Sequence, residues 1–444
     1  MAKIAVLGYG TVGSGVYEVL RTNREVIAQR AGEELEVKYV LDLRDFPGDP
    51  VQEVITHDFE EIVNDEEVQI VVEVMGGIEP AYTFVKRSLL AGKNVATSNK
   101  ALVAKHGAEL IRVAKEQNVN FFYEASVGGG IPILRSLYES LTGDVIEEIV
   151  GILNGTTNYM MTKMFYEGAG YDDVLKEAQD NGFAERNPEA DVEGYDACRK
   201  IAILASIISG KQVDFEDLYC EGITKVTVED MQYAKVMGRT VKLLATCKRH
   251  GETLSAMVSP CLLSQDHPLF SVNGVFNSVF VHGNMLGDAM FYGSGAGKLP
   301  TASAVVGDVV EAVKNIGYNL GYGWSEEKLQ IQKQEEVEHR FFVRIKGKKE
   351  ELQQKLEASF GMLQYVEVPE IAGEFGSYPI TDRLAVSLPS AIPSGTIDAS
   401  PISAFSARRS KFGVSAASSV VLPPNFSSGL PAIPSLNTMI YFIN

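Results

Sequence analysis

The sequence has few cysteines, no paired-cysteine motif and a deficit of basic residues. The cysteines are Cys198, Cys220, Cys247 and Cys261. None of them forms a C-x-x-C pair or has a histidine nearby at zinc-site spacing, so we expect reduced core thiols rather than a metal or redox site. The chain carries 40 lysine and arginine residues against 58 aspartate and glutamate residues, a formal net charge of −18. Nucleic acids and anionic membranes select basic surfaces, so we expect neither as a partner and favour small molecules.

The sequence also lacks long apolar runs. No stretch reaches the roughly 18 apolar residues that a membrane-spanning helix requires, and residues 1–10 contain no apolar core of a secretory signal. We therefore expect a cytoplasmic protein. Its 444 residues, of which 45% are hydrophobic, are enough for roughly two to four domains with large cores.

A glycine-rich segment lies between the first predicted strand, residues 3–7, and the first predicted helix, residues 14–29. The segment reads Gly8, Tyr9, Gly10, Thr11, Val12 and Gly13. In a G-x-G-x-x-G motif, Gly8 allows the tight turn, Gly10 lets the backbone approach a pyrophosphate, and Gly13 lets the helix pack closely on the strand. The alternative is a glycine turn with a purely structural role. The order of strand, motif and helix favours a dinucleotide-binding site.

The strands that follow predict an α/β domain of the Rossmann type. Predicted strands at residues 36–43, 69–74, 94–97 and 120–125 alternate with helices. This alternation implies right-handed crossovers and a doubly wound parallel sheet, placed in residues 1–130 and completed by about residues 298–320. Asp42 and Arg44 lie at the end of the second strand. An aspartate there favours NAD and an arginine favours NADP, so the sequence leaves both cofactors open.

An acidic segment, residues 178–200, runs directly into an apolar helix predicted for residues 194–209. Asp196 and Lys200 lie four positions apart on that helix among apolar residues, so they point into an interior or a cleft. A structural ion pair that anchors the helix is one interpretation, and a catalytic pair is the other. Further carboxylates come from Glu185, Asp191 and Glu193. These surplus acceptors favour the second interpretation, because they suit a substrate ammonium and hydroxyl.

The spacing of residues in this segment resembles that of homoserine dehydrogenases. The matching residues are Ala178, Gly182, Phe183, Ala184, Asn187, Pro188, Asp191, Val192, Gly194, Asp196 and Lys200. The resemblance covers residues 1 to about 325. It implies an NAD- or NADP-dependent oxidoreductase that interconverts L-homoserine and L-aspartate 4-semialdehyde, in threonine, methionine and isoleucine biosynthesis.

The resemblance also implies roles for individual residues. Lys200 is implied as the group that protonates the developing alkoxide, with Lys100 beside it and Asp191 orienting it. Glu185 and Asp196 are implied as binding the substrate's amino and hydroxyl groups. The implied cofactor contacts are Gly8, Gly10, Thr11, Val12, Gly13, Asp42, Arg44, Ser98, Lys100, Gly182 and Gly297. From its position alone, after the fourth strand, Lys100 could also be a solvated loop lysine.

Consecutive glycines at residues 128–130 follow the fifth predicted strand, where they would weaken any regular element. Such a loop could bind phosphate, expose carbonyl oxygens to a cation, or act as a hinge between two domains. The resemblance implies a monovalent cation site formed by Glu124 and the carbonyl oxygens of Val127, Gly129 and Ile131. Oxygen ligands with a single carboxylate fit Na⁺ or K⁺ better than a transition metal.

Residues 131–297 predict a second, α+β domain. The resemblance implies that it serves catalysis and dimerisation, and we expect a homodimer or homotetramer. Predicted strands at residues 145–153, 253–263 and 275–282 imply a mixed sheet. Residues 154–158 precede a helix predicted for residues 159–167, and their threonines are candidate N-caps. The resemblance implies that the same segment lines the active cleft. A second glycine-rich segment, residues 293–297, precedes a helix predicted for residues 301–316.

The C-terminal part begins like a further domain. Residues 337–345 predict a strand, residues 349–360 a helix and residues 364–368 a second strand. Together they resemble the opening of an ACT regulatory domain, so we interpret residues 337–380 as a partial ACT-like segment that lacks a further helix and strand. Residues 381–444 are rich in serine and proline and show no period. We expect a largely disordered tail there, and weak or absent inhibition by threonine.

Other classes of function stay open on the sequence alone. A Rossmann-type aldehyde dehydrogenase that forms an acyl-enzyme would need an activated cysteine, whereas Cys198 lies on a helix between the candidate catalytic residues. Another amino-acid dehydrogenase would differ only in its substrate. A non-enzymatic nucleotide-sensing module would bind NAD without turnover.

Overall fold

A computed structural model of the chain describes residues 1–337, 339–379 and 436–443. The expectations for residues 381–435 lie outside the described residues. Within the described ranges, no helix is both long enough and apolar enough to cross a membrane. These ranges form a parallel N-terminal sheet, a larger mixed sheet and a small two-stranded sheet.

The N-terminal sheet is parallel throughout its described strands. They are β1 (Ala2–Leu7), β2 (Leu35–Leu41), β3 (Ile55–Thr56), β4 (Val68–Glu73), β5 (Asn94–Thr97) and β6 (Phe121–Phe122). The helices around it are α1 (Thr11–Thr22), α2 (Arg24–Ala31), α3 (Phe59–Val63), α4 (Ala81–Leu90) and α5 (Lys100–Glu116). The strand order is β3-β2-β1-β4-β5-β6. This order confirms the predicted Rossmann-type sheet and places a ligand crevice at the carboxyl ends of β1 and β4.

Two elements of this part differ from the sequence-based expectation. The helix predicted for residues 14–29 is two helices, because the chain breaks at Asn23, whose N–H closes the last turn of α1. The strand predicted for residues 120–125 is limited to β6. Beyond it, the N–H of Glu124 donates to the Asp308 carboxylate at 2.9 Å instead of to a neighbouring strand, so the ladder ends there.

The second part of the chain is built on the mixed sheet that its sequence predicts. Its strands, with the separate parallel pair β8 and β14, are β7 (Ile146–Ile152), β8 (Lys211–Gln212), β9 (Tyr219–Cys220), β10 (Arg239–His250), β11 (Thr253–Ser264), β12 (Phe276–Gly283), β13 (Gly287–Ser294) and β14 (Ser325–Lys328). β10 and β11 form a long antiparallel hairpin, and β7 lies antiparallel between β10 and β12. β9 pairs parallel with β11, which makes the sheet mixed.

The sequence pattern does not indicate β10, because a lysine interrupts its apolar residues. Lys242 lies within this strand and is 1% exposed. Its ammonium donates to neutral acceptors, Asn158 Oδ1 at 3.0 Å, Val272 O at 2.7 Å and Asn273 Oδ1 at 2.9 Å. Burial lowers the pKa of Lys242 to about 7. A residue type that usually lies in solvent is therefore part of the core here.

The helices of the second part are α6 (Gly155–Glu167), α7 (Tyr171–Asp180), α8 (Glu189–Val192), α9 (Tyr195–Ser209) and α10 (Val228–Val236). α6 begins four residues earlier than the predicted helix. Asn154 caps this helix, and its side chain accepts from the Thr157 N–H at 2.9 Å. The interpretation of the threonines as the caps is wrong, because asparagine is the stronger N-cap residue and stands earlier in the chain.

α11 (Lys298–Lys314) brings the chain back to the N-terminal sheet after residues 293–297. It packs against α1 at Gly15. A Cβ atom on Gly15 would lie 2.8 Å from the carbonyl oxygen of Lys298, so the two helices can approach this closely only because the residue is glycine.

The C-terminal strands complete a four-stranded antiparallel arrangement in the order β18-β15-β17-β16. The elements are β15 (Phe341–Lys346), α12 (Lys349–Phe360), β16 (Leu363–Val366), β17 (Glu374–Pro379) and β18 (Leu436–Ile443). β18 also pairs parallel with β11 and so joins the mixed sheet. The expected tail without regular structure is therefore wrong for residues 436–443. Their β-branched and aromatic residues favour a strand, but this short pattern follows a long serine- and proline-rich segment and is interpreted together with it.

Candidate active site

The Asp196 carboxylate lies between two lysine ammonium groups. Asp196 is in the first turn of α9, and Lys200, one turn later, donates to its Oδ2 at 2.7 Å. Lys100, the first residue of α5, places its Nζ 2.6 Å from Oδ1. α5 is one of the helices around the N-terminal sheet, and α9 lies in the second part of the chain. The three charges therefore meet where the N-terminal part contacts the second part. The predicted pair on α9 is present, and Lys100 joins it.

Burial and charge act differently on these three groups. Burial lowers the pKa of Lys200, although the Asp196 carboxylate opposes this shift. For Lys100, the Asp196 carboxylate raises the pKa. Burial works to raise the pKa of Asp196, but the ammonium groups of Lys200 and Lys100 outweigh it and hold that pKa below its ordinary value. Asp196 is therefore ionised at neutral pH, and Lys200 is the lysine that loses its proton more readily.

Asn154 connects this cluster to a second carboxylate. The resemblance implies that residues 154–158 line the active cleft, but it does not imply this contact. Its Nδ2 donates to Asp191 Oδ1 at 2.7 Å and to Asp196 Oδ2 at 2.9 Å. Burial raises the pKa of Asp191, and the charge of Asp196 acts in the same direction. Asp191 thus reaches Lys200 through Asn154 and Asp196. The sequence signal that could have found Asn154 is its N-cap position at the carboxyl end of β7.

The loop between α7 and α8 keeps two predicted residues at the surface. Glu185 is exposed, and its backbone carbonyl accepts from Gln179 Nε2 at 3.1 Å, but its carboxylate does not join the cluster around Asp196. Gly182 is exposed on the same loop and has a left-handed φ of 74°. The loop is fixed where Thr156 Oγ1 donates to the Phe183 carbonyl at 2.5 Å. The substrate and cofactor roles of Glu185 and Gly182 stay predictions.

The cysteine nearest to these charges is unsuited to nucleophilic catalysis. Cys198 is buried on α9 between Asp196 and Lys200, and its thiol donates to the Phe215 carbonyl at 3.4 Å. Its contact with Cys220 and its burial raise the pKa of Cys198 well above the ordinary value. Because the thiolate is the reactive form, this environment disfavours an acyl-enzyme.

The glycine motif has the geometry that a dinucleotide requires. Gly8 has a φ of 100°, and a Cβ atom on it would lie 3.0 Å from Met75 Cγ. A Cβ atom on Gly13 would lie 1.9 Å from the Gly8 carbonyl oxygen, so the turn and the helix are in direct contact. At Gly10 such an atom would meet nothing within 4 Å, which leaves the backbone open to a ligand. The motif therefore fits the predicted cofactor site.

Two helix N-termini border this turn. Thr11 and Val12 form the first turn of α1, and Gly297, with a φ of 116°, is the N-cap residue of α11. Helix N-termini attract anions, so this arrangement suits the phosphates of NAD or NADP. Ser98 lies across the crevice at the end of β5, where its N–H donates to the Glu73 carbonyl at 3.3 Å.

Asp42 and Arg44 form an ion pair at the end of β2. Arg44 donates from Nε to Oδ1 at 3.0 Å and from Nη2 to Oδ2 at 3.1 Å, and the Tyr9 N–H donates to Oδ2 at 2.8 Å. The Arg44 hydrogen bonds are the main reason that the pKa of Asp42 is lowered, to about 2. The Arg44 side chain is 63% exposed and lies over the Phe46 ring, so it can still meet an anion. The pair is compatible with both cofactors.

The glycine loop after β6 contains buried carbonyl oxygens without donors. Val127 and Gly129 are buried, and no residue in the described part of the chain donates a hydrogen bond to their carbonyl oxygens. The Ile131 carbonyl accepts from the Ile133 N–H at 2.9 Å and keeps a second lone pair. Buried carbonyl groups are nearly always paired, so these oxygens fit a bound cation.

Glu124 supplies negative charge beside this loop. Its carboxylate accepts the N–H groups of Leu134 at 2.8 Å and Arg135 at 2.7 Å. Burial raises the pKa of Glu124, and burial together with the charge of Glu124 raises the pKa of Asp308 to about 8. The Arg135 guanidinium, 2.5 Å from Asp308 Oδ1, offsets part of this repulsion, and a monovalent cation beside Glu124 would offset more of it. Asp308 lies far along the sequence from Glu124, and no sequence pattern indicates that the two carboxyl groups meet.

The chain matches the family models of homoserine dehydrogenase. The model described as homoserine dehydrogenase, NAD binding domain, matches residues 8–124, and the model described as homoserine dehydrogenase matches residues 132–310. The homoserine dehydrogenase of Bacillus subtilis is 43% identical over 318 residues, which cover 71% of this chain and 73% of that protein.

Solved structures show the same similarity. The crystal structure of a homoserine dehydrogenase from Thiobacillus denitrificans has a TM-score of 0.76 and 35% identity, over 85% of this chain and 90% of that one. A hyperthermophilic archaeal homoserine dehydrogenase in complex with NADPH has a TM-score of 0.61 and 31% identity, over 70% of this chain and 97% of that one.

Proposed function

The chain belongs to the homoserine dehydrogenase family, and on this basis we propose roles for the residues of its active site. It is an NAD(P)-dependent oxidoreductase that acts on a CH–OH group and interconverts L-homoserine and L-aspartate 4-semialdehyde. Its place in threonine, methionine and isoleucine biosynthesis follows from this activity. The family and the activity predicted from the sequence are thereby confirmed.

We propose that Lys200 moves the proton of the reaction. When bound, the nicotinamide supplies the hydride in reduction and accepts it in oxidation. The Lys200 ammonium has three N–H groups, and the described structure holds two of them, on Leu153 O at 2.6 Å and Asp196 Oδ2 at 2.7 Å. The third is available to the substrate oxygen. The proposal rests on this observation: two acceptors hold the Lys200 ammonium in place, and its remaining N–H group can reach a substrate.

In the reduction of the aldehyde, the Lys200 ammonium would give its proton to the developing alkoxide and stabilise the negative charge as it forms. In the oxidation of homoserine, neutral Lys200 would remove the hydroxyl proton. Burial lowers the pKa of Lys200, which favours the neutral form that the second direction needs. The assignment predicts that a Lys200 variant still binds the nucleotide but does not turn over. Nucleotide titrations and steady-state rates of the variant test it.

We propose that the surrounding charges bind and orient the substrate. The Lys100 side chain is 43% exposed, so it is the partner of Asp196 that a substrate ammonium or hydroxyl can displace. Glu185, on the exposed loop, would complete the substrate site from the other side. Asp191 would orient Lys200 through the amide of Asn154, which contacts both carboxylates.

Cofactor preference is expected to depend on Asp42 and Arg44. Asp42→Ala should weaken the binding of NAD more than that of NADP, because a carboxylate binds the ribose hydroxyls. Arg44→Ala should do the opposite, because an exposed guanidinium binds the 2′-phosphate. The measurement is the Kd of each nucleotide for each variant, with Arg24→Ala on the outer surface of α2 as a control. Equal effects of both substitutions on both nucleotides would contradict this expectation.

We propose that Glu124 and the carbonyl oxygens of Val127, Gly129 and Ile131 bind Na⁺ or K⁺. Replacing both ions by tetramethylammonium at constant ionic strength should then lower the turnover rate, and added Na⁺ or K⁺ should restore it. Glu124→Gln should weaken the response to the added ion. Rates that do not depend on the ion would instead favour the hinge interpretation of this loop.

Several further assignments are proposals. We propose a homodimer or homotetramer, supported by exposed apolar side chains on the β12–β13 hairpin, namely Met285, Leu286, Met290 and Tyr292.

A cytoplasmic location is supported by the four cysteines, which form no disulfide. We also propose a nucleotide-binding domain of residues 1–130, completed by about 298–320, and a catalytic and dimerisation domain of residues 131–297, supported by the sheets they contain.

The C-terminal unit is proposed to be ACT-like. Its order of strands and the crossing helix α12 are typical of a split β-α-β arrangement. The expectation of weak threonine inhibition rests on a missing strand and a missing helix. β18 supplies the strand, and the residues that would contain the helix lie in 381–435, outside the described residues. Weak inhibition by threonine therefore stays a prediction.

A further inference from the structure

Glu73 is a fully buried carboxylate at the carboxyl end of β4, next to the nucleotide crevice. Its side chain is 0% exposed. Oε1 accepts from the Met75 N–H at 2.8 Å, and Oε2 accepts from the Thr97 hydroxyl at 2.6 Å. Burial raises the pKa of Glu73, and these donors act against the shift. Burying a carboxylate costs free energy, and the parallel ladder already joins β4 to β5 at this level, so the fold does not need this charge to hold the two strands together.

The hydrogen bonds of Glu73 continue to the first turn of α5. The Thr97 hydroxyl oxygen accepts from the Asn99 N–H at 2.9 Å. Asn99 then caps α5 by accepting from the Leu102 N–H at 3.1 Å, and its Nδ2 donates to the Gly77 carbonyl at 2.6 Å. The network therefore links the loop after β4 to the turn after β5.

Both ends of this network reach the active site. Lys100 follows Asn99 directly, and its ammonium lies 2.6 Å from Asp196. At the other end, Met75 contacts the turn at Gly8, where a Cβ atom would lie 3.0 Å from Met75 Cγ. A single carboxylate thus contacts the loop that borders the nucleotide crevice and, through the Thr97 hydroxyl, the backbone of Asn99, the residue that precedes Lys100.

We propose that Glu73 is a positioning residue of the reaction, which acts through Thr97 and Asn99 to place Lys100 opposite Asp196 and through Met75 to fix the wall of the nucleotide crevice. The part that concerns Lys100 rests on the proposed function. The part that concerns the crevice requires only that the chain binds the nucleotide.

Glu73→Gln tests the proposal with nearly no change of shape. A glutamine whose Oε1 accepts from the Met75 N–H presents its Nε2 to Thr97 as a donor, so the Thr97 hydroxyl loses its acceptor and the network loses its charge. We expect kcat/KM for homoserine to fall roughly ten- to hundredfold, since small misplacements of reacting groups have effects of this size. The Kd of NADPH, measured by fluorescence, should rise in the same variant.

Thr97 variants separate positioning from general stability. Thr97→Val, which keeps the shape and removes the hydroxyl, should lower kcat/KM as Glu73→Gln does, whereas Thr97→Ser should retain nearly the wild-type value. The double variant Glu73→Gln/Thr97→Val should lose no more than the worse single variant, because both substitutions break one network. Ser88→Ala is the control, since it removes a buried hydroxyl of α4 that donates to the Phe84 carbonyl at 2.8 Å. It should leave the kinetics unchanged.

Three results would overturn the proposal. They are a Glu73→Gln variant with wild-type kcat/KM and NADPH affinity, equal defects in Thr97→Ser and Thr97→Val, and a Ser88→Ala defect as large as that of Glu73→Gln. If the wild-type protein did not oxidise homoserine, the proposed function would fail. The NADPH affinities of the same variants would then still decide whether Glu73 fixes the crevice.

Discussion

Lys200→Ala is expected to lower kcat for homoserine oxidation by roughly two to four orders of magnitude, the usual contribution of general acid–base catalysis. The substitution removes the buried ammonium that lies 2.7 Å from Asp196 Oδ2. Asp196 keeps Lys100 as a partner, so the helix α9 retains a compensated carboxylate. The Kd of NADPH should change little, because Lys200 is in the second part of the chain and not in the glycine turn.

Steady-state rates and nucleotide titrations of the same preparation check this result. Lys211→Ala is a matched control, since that lysine follows the same helix but is half-exposed and pairs with Glu327 at 2.6 Å. It should behave like the wild type. A Lys200→Ala variant with near-normal turnover would show that another group moves the proton.

Asp196→Asn is expected to have the largest effect on stability. Asp196 is 3% exposed and compensates two ammonium groups, and removing one member of a buried ion pair costs about 3–5 kcal/mol of the free energy of unfolding. Asp191→Asn is the matched comparison. Because burial raises the pKa of Asp191 whereas the lysines hold that of Asp196 low, neutralising Asp191 should cost much less. Urea unfolding of both variants measures the difference.

The stability that Asp196 contributes depends on pH in a defined direction. Its folded pKa lies below the unfolded value of about 3.9, so the contribution is complete above that pH and is lost as the pH falls through the folded pKa. Wild type and Asp196→Asn should therefore differ at neutral pH and converge in strong acid. A difference that stays constant across this range would contradict the assignment of the charge.

The same substitution should change the pH dependence of the reaction. Without the Asp196 carboxylate, burial and the charge of Lys100 both lower the pKa of Lys200. Oxidation needs neutral Lys200, so the acid limb of kcat/KM for homoserine should move to lower pH in the variant. A limb that does not move would assign the titration to another group.

The sequence was sufficient where the signal is local. The glycine motif between β1 and α1 could be recognised because only glycine meets the conformational requirements at Gly8, Gly10 and Gly13, and the spacing of these residues can be seen in the sequence. The pair of Asp196 and Lys200 follows from helical spacing within α9. In both cases the residues that act together are close in sequence, so a periodic pattern can reveal them.

The sequence was insufficient where the partners are distant. The contact of Lys100 with Asp196 joins two parts of the chain. The resemblance implies that Lys100 lies beside Lys200, but no spacing rule predicts this contact. Asn154 caps α6, a role that the sequence pattern assigns to the threonines, and its contacts with both carboxylates have no sequence signal of their own. The network of Glu73 likewise depends on the neighbouring ends of β4 and β5. β10 could not be predicted for a related reason: the acceptors that allow Lys242 to be buried in this strand come from other segments of the chain.

The most direct measurement is the initial rate of nicotinamide reduction with L-homoserine, determined for the wild type and for Lys200→Ala with NAD and with NADP. We predict turnover by the wild type with at least one of the two nucleotides and a loss of roughly two to four orders of magnitude in the variant. A wild type that is inactive with both nucleotides, or a variant that is as fast as the wild type, would contradict the account.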